Sequence, residues 1–210
     1  MKNLGLVIAL VMLASPAQDR EYEAALARAQ ALKPQRLTSV ARIAPESEPG
    51  TPLVIRGRVF TTDGRTPAPG ITVFAYHTDR TGVYDVRANG PHSWRLKGWA
   101  ITDAEGRFEF RTIRPGAYPG RTEPQHVHFS IEGPSVPRQS PAALEFADDP
   151  LMTERTREES KRAGMFGGVR PVVRRDGVDH VEINLRIEDR GQRRTRARRH
   201  HHKRGAELSG

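Results

Sequence analysis

The chain has 210 residues, 36% hydrophobic and 6% aromatic, with no cysteine and a formal net charge of +9. That length suits one ordinary domain with tails, and the lack of cysteine excludes thiol catalysis, disulfides, cysteine-held zinc or iron–sulfur sites and a lipid-modified cysteine anchor. The charge is local: residues 190–210 carry eight Lys or Arg against the single acid Glu207, so seven of the nine net charges lie there, and the high isoelectric point describes a tail rather than a basic folded face.

The N-terminus reads MKNLGLVIALVMLASPAQ. Lys2 is followed by an apolar run of 11 residues, Leu4 to Ala14, and then by the small residues Ser15 and Ala17 at the −3 and −1 positions before Gln18. This is the form of a secretory signal peptide over residues 1–17. The run falls short of the ~20 residues a spanning helix needs, so no transmembrane anchor is expected. The mature protein is then exported, to the periplasm or beyond the cell.

Residues 18–50 open with a helix-prone patch, REYEAALARAQAL, and continue as a polar, proline-containing linker. From residue 51 the texture changes to short strands. LVIRGRVF sets Leu53, Ile55, Gly57 and Val59 against Val54, Arg56 and Arg58, the period-two pattern of a half-buried strand. Asp63-Gly64 and Pro69-Gly70 are turn signals. ITVFAYHT, GRFEFRTI (closed by Pro115-Gly116), PQHVHFSIEG and VEINLRIE read as further strands. Short strands with turns between them predict an all-β fold, an antiparallel β-sandwich over residues 51–188. One short helix interrupts it in DDPLMTERTREESKRAG, with Asp149 as N-cap, Pro150 in first place and Gly164 after the end. Residues 189–210 have no apolar face and read as a disordered, solvated tail. Binding of anionic surfaces or nucleic acid is the functional alternative for it, but an exported protein rarely meets nucleic acid, and no such partner is expected.

Within PQHVHFSI, His126 and His128 stand two apart on a predicted strand. They point to one face, about 7 Å apart along the strand, and can converge on a metal. They can equally be two polar residues on a wet face, and the pattern alone leaves both open. With no cysteine, further ligands must be carboxylates, other histidines or tyrosines. Tyrosine is scarce: Tyr22, Tyr76, Tyr84 and Tyr118. Tyr84 sits in the loop DRTGVYD and Tyr118 in the turn TIRPGAYPG, eight residues before His126. A phenol of pKa about 10 ligates well only to a hard, strongly acidic cation, for which ferric iron is the natural candidate. Two phenolates would offset two of its three charges.

Residues 52 to 133 resemble the intradiol ring-cleavage dioxygenases, the family of protocatechuate and catechol dioxygenases. The specific elements are G-x-Y with Tyr84, TDAEGRFEFRTIRPGAYP with Tyr118 and H-x-H with His126 and His128, in family order; LEFADDP is a weaker echo. The resemblance implies that Tyr84, Tyr118, His126 and His128 are the ligands of a non-haem Fe(III) ion. It implies a dioxygenase that cleaves a catechol-type substrate with O2 between its hydroxyl carbons, giving a muconate-type product without an organic cofactor. By the same analogy Tyr84 is also catalytic, leaving the metal to accept a substrate proton. Relatives often carry an arginine three residues before the first histidine of the pair. Here that position is Glu123, a carboxylate that would disfavour an anionic substrate, and Arg121 is the residue that can supply the missing charge. The tryptophan common in the strand before Tyr84 is absent, as is the helical N-terminal region of catechol dioxygenases, which points to a compact subunit. Sandwich enzymes of this kind often form homo-oligomers, though no segment marks an interface.

The remaining polar residues have plainer readings. His77 reads as a strand-end surface residue and His180 as solvent-facing, opposite Val181, Ile183 and Leu185. His92 and Trp94 lie in a loop that can wall the pocket. Arg95 and Lys97 can attract an anionic aromatic acid, although exposed basic loop residues are common. A different reading is a non-catalytic binding module of the transthyretin-like or carboxypeptidase-regulatory-like kind, whose sandwiches share phrases such as DAEGRFEFRTIRPGAY. A third is a sandwich holding zinc or copper through the two histidines. Convergence of the two phenol oxygens and two imidazoles within about 5 Å of one point, against bonds of ~2 Å, separates the first reading from the second.

Overall fold

The structure is a computed structural model that describes residues 16–84 and 94–189. The signal-peptide reading falls almost wholly outside these residues, as do His92 and the basic tail from residue 190 onward.

A helix, α1 (Pro16–Ala31), opens the described chain, as its run of Ala, Glu, Arg and Gln predicts. Eleven strands follow in chain order: β1 (Val40–Arg42), β2 (Pro52–Phe60), β3 (Thr72–His77), β4 (Leu96–Ile101), β5 (Arg107–Ile113), β6 (His126–Gly133), β7 (Val136–Gln139), β8 (Leu144–Phe146), β9 (Val169–Arg170), β10 (Val173–Arg175) and β11 (Val178–Arg186). A second helix, α2 (Glu154–Arg162), lies between β8 and β9. The strands form two sheets, ordered β1-β5-β2-β11-β10 and β4-β3-β6-β8-β9, with β7 paired to β6. The inward residues of both sheets, among them Ile55, Phe110, Val73, Ile131 and Ile183, make one apolar core.

The all-β sandwich is as predicted, but its sheets are mixed rather than antiparallel. β2 runs parallel to β11, β1 to β5 and β8 to β9. Side-chain alternation reports which face a residue takes, not which way its neighbour runs, so strand direction is invisible to it. β1 arises inside the segment read as linker: Val40 pairs with Glu109, and Ile43 and Ala44 just beyond it join the core.

Two local expectations are corrected. The N-cap of α2 is Thr153, whose Oγ1 accepts from Thr156 N at 3.2 Å. Asp149 is buried instead, its carboxylate taken by the backbone N–H groups of Gln125 (3.0 Å) and Leu151 (2.7 Å). Gly164 does follow the helix end, with φ +60°. His77 is not a surface residue but fully buried. Every residue of β3 is buried, because the core covers one face and α1 the other. The ring is accommodated by two hydrogen bonds: Nδ1 donates to Thr78 O at 2.6 Å, and Nε2 lies 2.7 Å from Thr112 Oγ1. His180 faces outward as expected, its Nδ1 3.2 Å from Arg56 Nη1.

The face of β3 and β6 turned away from the core positions the candidate site. Tyr76 pairs with His128 on one side and Lys97 on the other, and Phe74 with Ser130 and Trp99. Ala25, Leu26 and Ala29 of α1 pack on this aromatic surface. Among the described residues no helix is long and apolar enough to cross a membrane.

Candidate metal centre

The four sequence-predicted ligands come from three places in the fold. His126 and His128 lie on β6, with Val127 and Phe129 between and beyond them pointing into the core. Tyr84 lies in the loop after β3, and Tyr118 in the loop after β5.

The Tyr84 loop is shaped by Asp79. Its Oδ1 accepts from Thr81 N (2.8 Å), Thr81 Oγ1 (2.6 Å) and Val83 N (3.2 Å), while its backbone N–H donates to Val83 O at 2.9 Å. Side-chain oxygens of aspartate stabilise turns in this way. The loop is joined to that of Tyr118. Gly116 N donates to Asp79 O (2.7 Å) and Thr78 Oγ1 to Gly116 O (2.8 Å). Gly82 has φ +84°, and a Cβ there would overlap the Ala117 carbonyl, so only glycine permits this approach. Arg95 closes the arrangement. Its guanidinium binds Glu48 twice, at 2.6 and 2.8 Å, lies 3.8 Å from Asp79 Oδ2, and its N–H donates to Tyr84 O at 3.3 Å. Arg95 is thus a strut for the loop rather than a free attractor of anions. Lys97 is in strand β4, where Nζ donates to Trp94 O at 2.8 Å and burial lowers its pKa.

The structure brings all four side chains together. Tyr84 Oη lies 2.6 Å from Tyr118 Oη, Tyr118 Oη 3.1 Å from His126 Nε2, and His126 Nε2 3.0 Å from His128 Nε2. Donors at right angles around one ion, with bonds of ~2.0–2.1 Å, are themselves about 2.9 Å apart. The three observed separations lie near that spacing. His126 has the required tautomer: Nδ1 donates to Pro124 O at 2.7 Å, which leaves Nε2 with a lone pair facing the other donors.

Tyr84 has its pKa raised well above that of a free phenol, first by burial and then by the neighbouring Tyr118. A strongly acidic cation is what would ionise it. Among the described residues no group of three or more His, Cys, Asp and Glu gathers around a point. The donor set exists only because two of its four members are phenols.

Around these donors stands an aromatic wall. The Tyr76 ring stacks on His128 (centroids 4.7 Å apart) and Trp94 on Tyr76 (4.0 Å), with Tyr22 of α1 edge-on to Trp94 at 5.5 Å. Trp94 thus stacks on Tyr76, the ring on which His128 also stacks. The supporting roles of Tyr76 and Asp79 are the ones sequence reasoning missed. The Asp-x-Thr-Gly stretch 79–82 carried a turn signal, but nothing marked Tyr76 as the support of a histidine on the neighbouring strand.

A family model described as Dioxygenase matches residues 29–170. The chain belongs to the intradiol ring-cleavage dioxygenase family. It is 30% identical over 128 residues to catechol 1,2-dioxygenase 2 of Acinetobacter lwoffii, covering 53% of this chain and 46% of that protein. It is 33% identical over 114 residues to the protocatechuate 3,4-dioxygenase beta chain of Burkholderia cepacia, covering 49% and 48% respectively. The chain thus matches about half the length of these relatives. Among solved structures it is similar to the dioxygenase domain of a dioxygenase carbohydrate-binding protein fusion from Streptomyces sp. SirexAA-E, with a TM-score of 0.53 and 26% identity, over 70% of this chain and 86% of that one.

In this intradiol-family chain the segment from Tyr118 to His126 carries the two residues where the motif departs. Arg121 is exposed, with its guanidinium carbon 5.9 Å from the Tyr118 ring centroid. Glu123 is half-buried, and its Oε2 is shielded from solvent without a hydrogen-bond partner.

Proposed function

We propose that this chain is a non-haem Fe(III) intradiol dioxygenase. It opens a catechol-type ring between the two hydroxyl carbons, and both atoms of O2 enter the muconate-type product. Tyr84, Tyr118, His126 and His128 hold the iron. The observation that carries this reading is the mutual approach of their four donor atoms, at 2.6–3.1 Å.

Ferric iron supplies Lewis acidity and a visible absorption when bound. The chain does the rest. His126 and His128 fix the face of the centre, His126 through its bond to Pro124 O and His128 by stacking on Tyr76. Tyr84 Oη, which burial favours in its protonated form, takes a proton from a substrate hydroxyl. Arg121 carries its guanidinium over the Tyr118 ring, 5.9 Å from the centroid. The aromatic wall of Tyr76 and Trp94 keeps one side of the site free of water.

The test is turnover. Iron-loaded protein given catechol in air is expected to consume one O2 per ring and yield cis,cis-muconate; an unchanged catechol pool would remove the reading. The binding-module alternative predicts no such gathering of phenols and imidazoles and would gain only from that negative result. We further propose that the enzyme works after export, from the form of residues 1–17. A mature N-terminus at Gln18 in protein recovered outside the cytoplasm is the expected finding, and an intact Met1 in that fraction would refute it.

A further inference from the structure

Glu123 lies in a short closed loop whose two ends are candidate ligands. Tyr118 Oη and His126 Nε2 are 3.1 Å apart. Inside the loop Arg121 N donates to Tyr118 O at 3.2 Å, and His126 Nδ1 donates to Pro124 O, the residue after Glu123, at 2.7 Å. In this loop Glu123 is three residues from His126, so its Cα lies within about 11 Å of the His126 Cα.

Within it the Glu123 carboxylate stands out. Its Oε2 has no access to water and accepts no hydrogen bond, and no ion pair among the described residues neutralises it. A buried carboxylate oxygen without a donor is costly. The cost is relieved when a bound molecule brings a donor, and is increased when it brings a second negative charge. Arg121 offers little compensation, because it is exposed above the Tyr118 ring, where water screens its charge.

We infer that Glu123 sets the charge preference of the site. It disfavours catechols with a ring carboxylate and favours those with a neutral or protonated-amine substituent. The inference rests on the dioxygenase reading above. At an effective dielectric of ~20, unit charges up to about 12 Å apart change each other's binding about tenfold.

The experiment is an anaerobic titration of the iron-loaded protein, followed by its visible band, with 4-methylcatechol, 3,4-dihydroxybenzoate and 3,4-dihydroxyphenethylamine. The expected order of affinity is amine, then methyl, then carboxylate, with at least about a tenfold gap between the last two. In Glu123→Gln, which keeps the shape and removes the charge, that gap shrinks about tenfold while the band of the ligand-free protein is unchanged. Equal affinity of the wild-type protein for the methyl and carboxylate ligands would overturn the inference, as would an unchanged gap in the variant. The wild-type comparison decides alone should the variant not fold. Absence of any band in the wild-type protein would instead strike the dioxygenase reading itself, so the two failures are told apart.

Discussion

Tyr84 and Tyr118 reach from two different loops to bring their phenol oxygens 2.6 Å apart. Without a cation a proton must sit between them, and burial keeps Tyr84 protonated. Both can ionise only if a strong positive charge takes that proton's place. Replacing either with Phe is therefore expected to remove the donor and most of the visible absorption. Turnover should fall by about 100-fold or more, beyond what loss of a supporting residue costs. Iron analysis, absorption and rate on each variant check this; a variant keeping full colour would remove that tyrosine from the centre.

Asp79 holds the Tyr84 loop without touching the donors. In Asp79→Ala the N–H groups of Thr81 and Val83, both exposed, lose their acceptor, and the turn that positions Tyr84 loosens. The expected outcome is iron affinity about 10–100-fold weaker with the position of the visible band preserved, because the ligands are unchanged. Chelator competition measures it. An unaltered affinity would show that the Arg95 and Gly116 contacts suffice.

His77 gives the fold a pH dependence. Burial is the main cause of its pKa falling from 6.5 to about 4. Below pH 6.5 the unfolded chain takes up a proton that the folded chain refuses, so stability declines as the pH drops through this window and levels off near pH 4. The contribution is at most about 3 kcal/mol. Denaturant unfolding of wild type and His77→Gln between pH 7 and pH 4 (about the two limits) should show a shallower decline in the variant. Parallel curves would assign the acid sensitivity elsewhere.

Arg114 ties together the two ends of the loop that carries Tyr118. It follows β5 and binds Asp148 at 2.6 and 2.8 Å, Asp179 at 3.4 Å and Gln125 Oε1 at 2.7 Å, with its guanidinium 4.6 Å from the Phe146 ring centre. Asp179 is buried. Arg114→Ala leaves that carboxylate with only the more exposed Arg174 at 3.5 Å, and a loss of about 3 kcal/mol is expected, read from the shift in denaturation midpoint. A shift close to zero would mean that Asp179 rehydrates freely.

The centre was more legible in the sequence than the frame that holds it. His126 and His128 declared a shared face through the period of a strand, and Tyr84 and Tyr118 stood out because phenols are rare here and both lie beside turn glycines. The frame depends on pairings that local pattern does not encode. β4 escaped notice because LKGWAI shows no alternation, being packed on both faces. β1, β8, β9 and β10 are two or three residues long, too short for a period to show. The parallel register of Asp179 with Leu53 joins segments from opposite ends of the domain. Asp149 reads as a helix cap because its type favours one, yet tertiary contact made it a clip between the entry to β6 and the turn before α2.

The central claim is that two phenolates and two imidazoles share one ferric ion. Its most direct test is the visible absorption spectrum of the mature protein loaded with iron in air, recorded before and after catechol is added. A broad tyrosinate-to-iron band that shifts with catechol is the expected result. A protein that retains iron yet stays colourless, with or without catechol, would contradict the claim.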